Sequence, residues 1–565
     1  MMFKKVIPMK KALLLFLLAS SAVAFDYLGY AEATYSATGY IPRGYAFIHV
    51  PYSDVMQDAE QITHNNVFFD DTGAFINATG NYNYTVVLKI NAFKTQILSD
   101  PPFPINSFGN YSLPTKFIDS DDLRIIQKSK ELTTNVSSEL EAISGITEWV
   151  HENVMYNMSL AGKPRMKASE VLSVRQGVCV DYSSLTAALL RASGIPARYA
   201  EGYYLLSDGS AEPHAWVEAY VPGSGWLPVD PANGVTASAN LLKESSGSDP
   251  SELVDTVFYE GNGEENATSE KKVLVSRQEA FPKILAEVMV IDSEVGFGSV
   301  AGVNVYLKND RSSFFISDLR VGASEGVSPD YVFDAVVLPP SSETMKEFLF
   351  VMPSNLSQRR EYFFPVRFSG PGFDEKASIS VKPSADVIKR SNLQIKSTEV
   401  SVFQRNFLIS VELENSGNVE APVRIVVSGP AGSSSRGVVI QGGQSKTEEF
   451  AFQLGKNDSQ LNYSITVYSG EEVMSKKLPV ILKREAQRES QPHSFSNIFI
   501  VSFIIITSLA LAALVYPRQT KKLRTGVFKK RLEKHEIRRS LEFLEREEKK
   551  HHGIEEMLRK KHRRR

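Results

Sequence analysis

Residues 177–198 have the sequence GVCVDYSSLTAALLRASGIPAR, with the only cysteine of the 565-residue chain at position 179. Residues 180–193 favour a helix that ends at Gly194 and Pro196, so Cys179 is predicted at or just before the helix N-terminus. The positive end of a helix dipole favours the thiolate, which is the nucleophilic form of cysteine. The stretch therefore predicts a reactive thiol, with a buried, inert cysteine as the alternative.

A thiolate nucleophile needs an acid–base partner, and the sequence offers one downstream. His214 begins the alternating stretch HAWVEAYV, residues 214–221, which favours a strand. A Pro-Gly-Ser-Gly turn at 222–225 leads into WLPVDP, which contains Asp230. Because an aspartate that accepts the imidazole N–H orients the ring, the order of these segments predicts a catalytic Cys179–His214–Asp230 triad.

The connection between His214 and Asp230 sets a geometric condition on this triad. A regular tight hairpin through residues 222–225 is expected to leave the two side chains several residues out of register. At about 3.3 Å per residue, that offset exceeds hydrogen-bond reach. The triad is therefore expected to need a looser connection or a slipped strand pairing.

Four blocks in a fixed order resemble the transglutaminase-like superfamily, a papain-like thiol enzyme fold. They are GVCVDYS (177–183), ASGIPAR (192–198), HAWVE (214–218) and WLPVDP (226–231). The likeness covers about residues 143–233, roughly a sixth of the chain. It implies an α+β core in which Cys179 is the nucleophile, His214 the base and Asp230 the orienting acid.

Further groups near the nucleophile have weaker sequence support. The backbone N–H of Cys179 is the candidate oxyanion donor, and Gln176 is either a second donor or a solvent-facing loop residue. The stretch WVHEN (149–153) with Tyr156 resembles the helix that precedes the nucleophile helix in the family. A single cysteine excludes a disulfide framework and a Cys-rich zinc module. No phosphate-binding or calcium-binding loop is recognisable, so neither a cofactor nor a metal is expected.

The segments around the core have the pattern of β-rich domains. Residues 25–125 are expected to form an N-terminal β-rich domain and residues 126–235 the core. Residues 236–272, low in large apolar side chains, are expected to be a linker. Residues 273–382 and 388–484 each suit an antiparallel, immunoglobulin-like β-sandwich. The second sandwich is expected to be a spacer that holds the other domains away from a membrane.

The two ends of the chain have export and membrane signals. Residues 1–24 combine four lysines, an apolar run and the small-x-small pattern AVA, which predict a signal peptide, with an uncleaved membrane anchor as the alternative. Residues 498–516 contain no charge and are long enough to cross about 30 Å of hydrocarbon. Basic residues follow at once in the tail, 517–565, as they do in cytoplasmic loops. These segments predict a single-pass cell-membrane protein with an extracellular body and a cytoplasmic C-terminus.

The fold class expected from these patterns is multidomain. It comprises an α+β transglutaminase-like (papain-like) core, flanking all-β domains of the immunoglobulin-like sandwich type, and one C-terminal transmembrane helix. The lipid bilayer is accordingly an expected partner, contacted by a single span.

The formal net charge of −2 hides an uneven distribution. Residues 518–565 contain 19 basic and 8 acidic residues, a net of +11, whereas residues 25–517 contain 40 basic and 57 acidic residues, a net of −17. An acidic body does not suit nucleic-acid binding, so no nucleic-acid partner is expected. The basic tail is expected to contact anionic lipid or a cytosolic partner, with a solvated helix that only enforces topology as the alternative.

Nine Asn-x-Ser/Thr sequons lie in the expected extracellular body, where glycosylation would require them. Chance occurrence is the alternative. The nine are Asn77, Asn83, Asn110, Asn135, Asn157, Asn266, Asn355, Asn457 and Asn462.

The expected function is that of a membrane-anchored extracellular thiol enzyme acting on amide bonds of peptides or proteins through an acyl-thioester. If water resolves the thioester, the protein is a peptidase, which is the favoured expectation. If a lysine amine resolves it, the protein is a cross-linking transglutaminase. The alternative from a different class is a surface adhesion or scaffold protein without catalytic activity.

Overall fold

The structure is a computed structural model that describes residues 27–481 apart from 64–66, 93, 95, 105–108, 135, 237, 259–266, 404–405 and 454–459. The predicted signal peptide, membrane span and basic tail lie outside the described residues, so these three remain predictions. Within the described part of the chain, no helix combines the length and the apolar character needed to cross a bilayer.

Four α-helices, three short 3-10 helices and 28 strands make up the described residues. The α-helices are α1 (Leu123–Thr133), α2 (Glu139–Asn153), α3 (Ala168–Val174) and α4 (Cys179–Ala192), and the 3-10 helices are Asn110–Ser112, Met158–Leu160 and Pro250–Glu252. The first strands are β1 (Leu28–Val50), β2 (Gln57–Gln61), β3 (Val67–Asp70), β4 (Gly73–Asn91), β5 (Met155–Tyr156), β6 (Gln176–Gly177), β7 (Ala197–Leu205), β8 (Ala211–Val221), β9 (Gly225–Asp230), β10 (Val235–Thr236), β11 (Leu241–Gly247), β12 (Thr256–Phe258) and β13 (Thr268–Ala280). The later strands are β14 (Leu285–Val290), β15 (Glu294–Val295), β16 (Val300–Asn309), β17 (Phe315–Ala323), β18 (Tyr331–Leu338), β19 (Ser342–Val351), β20 (Tyr362–Gly370), β21 (Phe373–Val381), β22 (Leu393–Phe403), β23 (Asn406–Asn415), β24 (Ala421–Gly429), β25 (Gly432–Ile440), β26 (Gln444–Gln453), β27 (Gln460–Ser469) and β28 (Glu472–Ile481).

Helix α4 is the centre of the α+β core and begins at the cysteine, which confirms the predicted position of the thiol. The Asp181 carboxylate accepts the Val178 backbone N–H at 2.9 Å and so caps the start of the helix. The chain leaves the helix at Gly194, whose φ of +94° is in the left-handed region that favours glycine. Helices α1, α2 and α3 pack around α4, and their apolar faces share one core with strands β7, β8 and β9.

One 11-stranded sheet joins the N-terminal β region to this core. Its strand order is β10-β9-β8-β7-β11-β4-β1-β12, with β13 paired to β1 and with β2 and β3 paired to β4. The long strands β1 and β4 are antiparallel neighbours over most of their length. The N-terminal β-rich segment and the core, expected as separate domains, therefore share a continuous hydrogen-bonded sheet.

The prediction of a linker at residues 236–272 is wrong, because this segment contains β11, a 3-10 helix, β12 and the start of β13. Strand β11 is fully buried and lies between β7 and β4 in the middle of the sheet, and β13 begins at Thr268 and pairs with β1. The sequence suggested a linker because β11, LLKESSG, has few apolar side chains. Its charged side chains are instead paired inside the fold, where Lys243 contacts Glu218 at 2.8 Å and Glu244 accepts the Tyr35 hydroxyl at 2.8 Å.

The two later segments form two-sheet β-sandwiches. The first pairs the sheet β14-β16-β19 with the sheet β15-β21-β20-β17-β18. The second pairs β22-β23-β26 with β25-β24-β27-β28 around a single apolar core. These sheets fit the predicted all-β segments, whereas a specifically immunoglobulin-like topology remains a prediction.

The second sandwich packs directly on the core, although the sequence predicted a spacer. Glu131 of α1 pairs with Lys128 of the same helix at 2.6 Å and with Lys476 of β28 at 3.0 Å. The Gln127 side chain accepts the Ile481 backbone N–H at 2.8 Å. These partly buried contacts are made by side chains of an amphipathic helix whose charged face, on sequence pattern alone, is expected to be solvated.

A buried ion cluster lies beneath the paired motif strands β7 and β8. Glu218 accepts Arg198 at 2.5 Å and Lys243 at 2.8 Å, and Lys243 also contacts Asp54 at 2.5 Å. The Glu218 and Lys243 side chains are each 3% exposed. Burial alone would raise the pKa of Glu218, but the charges of Lys243 and Arg198 lower it below its ordinary value. The cluster thus replaces apolar packing with paired charges at the join between the core and the N-terminal strands.

Replacing Glu218 with glutamine is expected to lower the free energy of unfolding by about 3 kcal/mol, because it leaves buried cations without their shared counter-charge. Tryptophan fluorescence during urea unfolding measures this, since all three tryptophans, at 149, 216 and 226, lie in the core. Because the pKa of Glu218 is lowered, its contribution is present above the ordinary glutamate pKa and lost as pH falls through the lowered value. Glu279→Gln, in an exposed pair with Arg277, is the control and should cost at most about 1 kcal/mol. Equal losses for the two variants would contradict the argument.

Candidate active site

Cys179 is the first residue of α4, and a short parallel strand pair lies directly before it. Strands β5 and β6 pair Tyr156 with Gly177, two residues before the cysteine. A side chain at Gly177 would place its Cβ 2.5 Å from the Cβ of Asp181, so only glycine fits against the helix cap. The thiol is unpaired and partly exposed, unlike the buried, inert cysteine that the sequence left as an alternative.

His214 lies on β8 with its ring enclosed by two aromatic side chains. The ring stacks on Trp216 with centroids 6.4 Å apart and an interplanar angle of 17°, and it meets Tyr204 edge-on at 5.5 Å. The imidazole is 9% exposed. These contacts restrict the ring to an orientation in which Nε2 is directed to Asp230. Cys179 is near enough to contribute to the raised pKa of the ring.

His214 and Asp230 form a direct pair, with Nε2 and Oδ2 2.7 Å apart. The expectation that a tight hairpin separates them is wrong. The hairpin is tight, with Val221 opposite Gly225, and its register places Val217 opposite Val229. Asp230 is therefore only two residues from the position opposite His214, on the same face of the sheet, and such diagonal neighbours are within reach of long side chains.

The Asp230 carboxylate is fully buried and anchored by the turn that follows it. The backbone N–H groups of Ala232 and Asn233 donate to Oδ1 at 3.1 and 3.3 Å, and the Asn233 amide donates to Oδ2 at 2.9 Å. Burial would raise the pKa of Asp230, but the charge and hydrogen bond of His214 and the donors from Asn233 lower it. The group thus remains a carboxylate and accepts the imidazole N–H.

The electrostatics of the site favour a protonated His214. Burial favours the neutral ring, but the charge and hydrogen bond of Asp230, together with Cys179, outweigh burial and raise the pKa of His214 to about 10. An imidazolium beside a cysteine sulfur favours the thiolate. The arrangement therefore places a protonated imidazole beside Cys179 at neutral pH.

Tyr156 is a site residue whose role the sequence left unassigned. Burial raises the pKa of its hydroxyl, and the nearby Cys179 adds to the shift through its charge and a hydrogen bond. The backbone N–H of Cys179 counteracts this shift, so the predicted oxyanion donor lies near the Tyr156 hydroxyl. The ring packs on Tyr182 at 5.7 Å. The sequence named Tyr156 only through the family resemblance, because a tyrosine has no diagnostic spacing from the nucleophile.

Gln176, the alternative oxyanion donor, is tied to a neighbour. Its Oε1 accepts the Asn157 amide at 3.0 Å. Asn157 is itself one of the predicted glycosylation sites and is half-buried, and its Oδ1 accepts the Ser159 N–H. The structure assigns Gln176 this contact with Asn157 and none with the sulfur of Cys179.

The other sequons are mostly accessible where the structure describes them. Asn135, Asn266 and Asn457 lie outside the described residues. The exposed ones are Asn77, Asn83, Asn110, Asn355 and Asn462. Their glycosylation remains a prediction.

Among the residues that the structure describes, no group of three or more His, Cys, Asp or Glu side chains is arranged to hold a metal ion. The structure brings together Cys179, His214 and Asp230 as the sequence predicted, while their catalytic roles remain predictions.

Several known proteins are similar to parts of this chain. YebA of Bacillus subtilis, an uncharacterised protein, is 26% identical over 193 residues, which cover 30% of this chain and 26% of YebA. A protein-glutamine gamma-glutamyltransferase of Pseudomonas aeruginosa is 42% identical over 71 residues, 11% of this chain and 10% of that protein. The chain thus spans about a quarter or less of the length of these two relatives. A crystal structure of a candidate cysteine protease from Cytophaga hutchinsonii aligns with 44% of this chain and 90% of its own, at 22% identity and a TM-score of 0.33.

The family comparison matches the segment that contains the site. Residues 126–231 match the model of the transglutaminase-like superfamily. This range begins in α1 and extends through α4 to the residue after Asp230, so it includes the cysteine, the histidine and the aspartate described above. Residues 126–231 of this chain are a transglutaminase-like domain.

Proposed function

We propose that this protein is a cysteine-dependent enzyme that attacks amide carbonyls of peptides or proteins. The observation that supports the proposal is the Asp230–His214–Cys179 array, with its 2.7 Å pair and its imidazolium beside the partly exposed sulfur. Nucleophile, acid–base group and orienting group are the three roles that acyl transfer requires.

In the proposed reaction the Cys179 thiolate adds to the amide carbon, and the carbonyl oxygen becomes an oxyanion. The backbone N–H of Cys179, which lies near the Tyr156 hydroxyl, would donate to that oxygen. The His214 imidazolium then protonates the departing amine as the C–N bond breaks, leaving an acyl-thioester on the sulfur and a neutral ring. Asp230 holds the ring in one orientation throughout.

We propose hydrolysis as the second half-reaction, because Cys179 is only partly buried, which fits access of water to an acyl-thioester at this residue. The neutral His214 would accept a proton from water as the hydroxyl adds to the acyl carbon, and the thiolate leaves. Protein cross-linking is the second candidate, supported by the 71-residue similarity to a protein-glutamine gamma-glutamyltransferase. A lysine amine would then take the place of water.

We also propose the cellular setting from the sequence alone. The signal-like residues 1–24, the uncharged residues 498–516 and the basic tail support an enzyme anchored in the cell membrane with its domains outside. Its substrates would then be extracellular peptides or proteins.

The rate of alkylation of Cys179 by iodoacetamide is expected to stay within about tenfold between pH 6 and pH 9.5, because a neighbouring imidazolium favours the reactive form of a cysteine. An ordinary thiol changes by about 300-fold over this range. The faster alkylation at low pH, relative to an ordinary thiol, should be lost in His214→Ala and strongly reduced in Asp230→Asn. Asp208→Asn, which removes a carboxylate from the exposed turn before β8, is the matched control and should behave as wild type. A folded His214→Ala variant with the wild-type pH profile would sink the proposed role of the histidine.

The reaction products distinguish hydrolysis of the thioester from protein cross-linking. Wild-type protein incubated with an extracellular protein extract is expected to release peptides with new amino termini, detected by mass spectrometry and absent with Cys179→Ala. Isopeptide-linked products of higher mass would instead establish cross-linking. If neither product depends on Cys179 while the thiol is alkylated normally, the non-catalytic scaffold is the correct description.

A further inference from the structure

The first β-sandwich contacts the turn that anchors the catalytic aspartate. This turn, residues 231–234, follows Asp230 and is pressed against β17 and β18. Gly234 lies so close to Phe333 of β18 that an added Cβ would be 2.7 Å from the ring. The Gly234 φ of +65° also favours glycine at this point. The turn is therefore shaped by a domain outside the transglutaminase-like segment.

Arg320 of β17 contacts the turn directly. One guanidinium nitrogen donates to the backbone carbonyl of Asn233, and Nε donates to the Tyr27 hydroxyl at 2.9 Å. The side chain is 8% exposed, and its plane lies over the rings of Phe333 and Tyr27 at 5.7 and 5.8 Å. A buried, forked cation with fixed partners on both sides is a rigid support.

His151 of α2 supports the same turn from the other side. Its Nδ1 lies 3.1 Å from the Pro231 carbonyl, and its ring packs on Phe333 with centroids 4.5 Å apart. Burial lowers the pKa of His151, and the positive charge of Arg320 lowers it further. The ring is therefore neutral, and its Nδ1–H is the donor to the carbonyl.

We infer that Arg320 is a positioning residue of the catalytic site: it fixes the 231–234 turn and thereby the Asp230 carboxylate that orients His214. The inference rests on the proposed function. Asn233 links the two ends, because its carbonyl accepts from Arg320 while its side-chain amide donates to Asp230 Oδ2. The first sandwich is thus part of the enzyme and not only an attached domain.

Several charged and titratable groups lie around Arg320, and they affect the choice of a measurement for the role of Arg320. Tyr27, Asp318 and Tyr331 face the guanidinium, and Asp230 and His151 lie beyond the turn. Burial raises the pKa of Asp318 to about 8, and Asp230 adds to this while Arg320 opposes it. The rate of alkylation of Cys179 is therefore measured at two pH values, and the ratio of the two rates is compared between variants. This ratio separates the positioning of Asp230 from a general loss of structure.

The test uses Arg320→Met and Arg320→Lys in the full chain, with iodoacetamide as the probe at pH 6 and pH 9.5. In Arg320→Met the ratio of the rate constants, pH 6 to pH 9.5, is expected to fall about tenfold, because a displaced Asp230 supports the imidazolium less well. The rate at pH 9.5 is expected to stay within about twofold, since an ordinary thiol is ionised there. Arg320→Lys keeps the charge but not the fork, so its ratio should lie between those of Arg320→Met and wild type.

Arg367→Met is the matched control, because Arg367 is on the same sandwich and pairs with Asp374 at the surface. Its ratio should equal that of wild type. If Arg320→Met does not yield folded protein by circular dichroism, Arg320→Lys decides. If a folded Arg320 variant has the wild-type ratio while His214→Ala changes the ratio, the role of Arg320 is overturned and the proposed function is not. A wild-type ratio in His214→Ala overturns the proposed function, and the role of Arg320 with it.

Discussion

The register of the β7–β8–β9 ladder is the constraint on which the site depends. In this register Arg198 is opposite Glu218, and Val217 is opposite Val229. The first pairing closes the buried ion contact beneath the strands, and the second places Asp230 diagonally from His214. A slip of one residue would turn the histidine and the glutamate to the other face of the sheet. One ladder therefore holds both the salt bridge that joins the motif strands and the acid–base pair.

The charges beneath this ladder explain why a segment with few apolar side chains is found inside the fold. Lys243 of β11 satisfies Glu218 of β8, and Lys271 of β13 pairs with Glu244 of β11 and, at 2.9 Å, with Asp255. Buried ion pairs contribute little net stability, but each is costly to break on one side. Their effect here is to specify which strands are neighbours, and so to keep the N-terminal strands in register with the core.

Both sandwiches contact the transglutaminase-like domain near groups that matter for its chemistry. The first supports the turn after Asp230. The second pairs with α1 through Glu131. The cation of Arg175, four residues before Cys179, lies 4.4 Å above the Trp149 ring. The negative charges of Glu399 and Glu131 also act on this cation. Arg175 is in the left-handed region, with a φ of +54°, at the end of α3. The transglutaminase-like domain is thus contacted by one sandwich at the turn after Asp230 and by the other at α1.

The sequence by itself determined the helix that begins at Cys179 and the identities of the three site residues that the structure brings together. Those features are local: helix propensity, a capping glycine and strand alternation act over a few residues. The same local patterns predicted the all-β segments but mistook β11 for a linker, because its polar residues have partners more than 20 residues away, on other strands. They also overestimated the distance between His214 and Asp230, because diagonal contact across a hairpin depends on the pairing register.

Only the tertiary structure decided which distant groups complete the site. The contacts of Arg320 and Phe333 with the 231–234 turn, and the position of the Tyr156 hydroxyl near Cys179, involve residues that no spacing rule connects. Their positions follow from how the sandwich packs on the sheet and how β5 pairs with β6. Packing of this kind depends on the summed shape and charge of whole surfaces. For this protein, the sequence therefore specified the three site residues, and the strand register and the packing of the domains decided how their side chains meet.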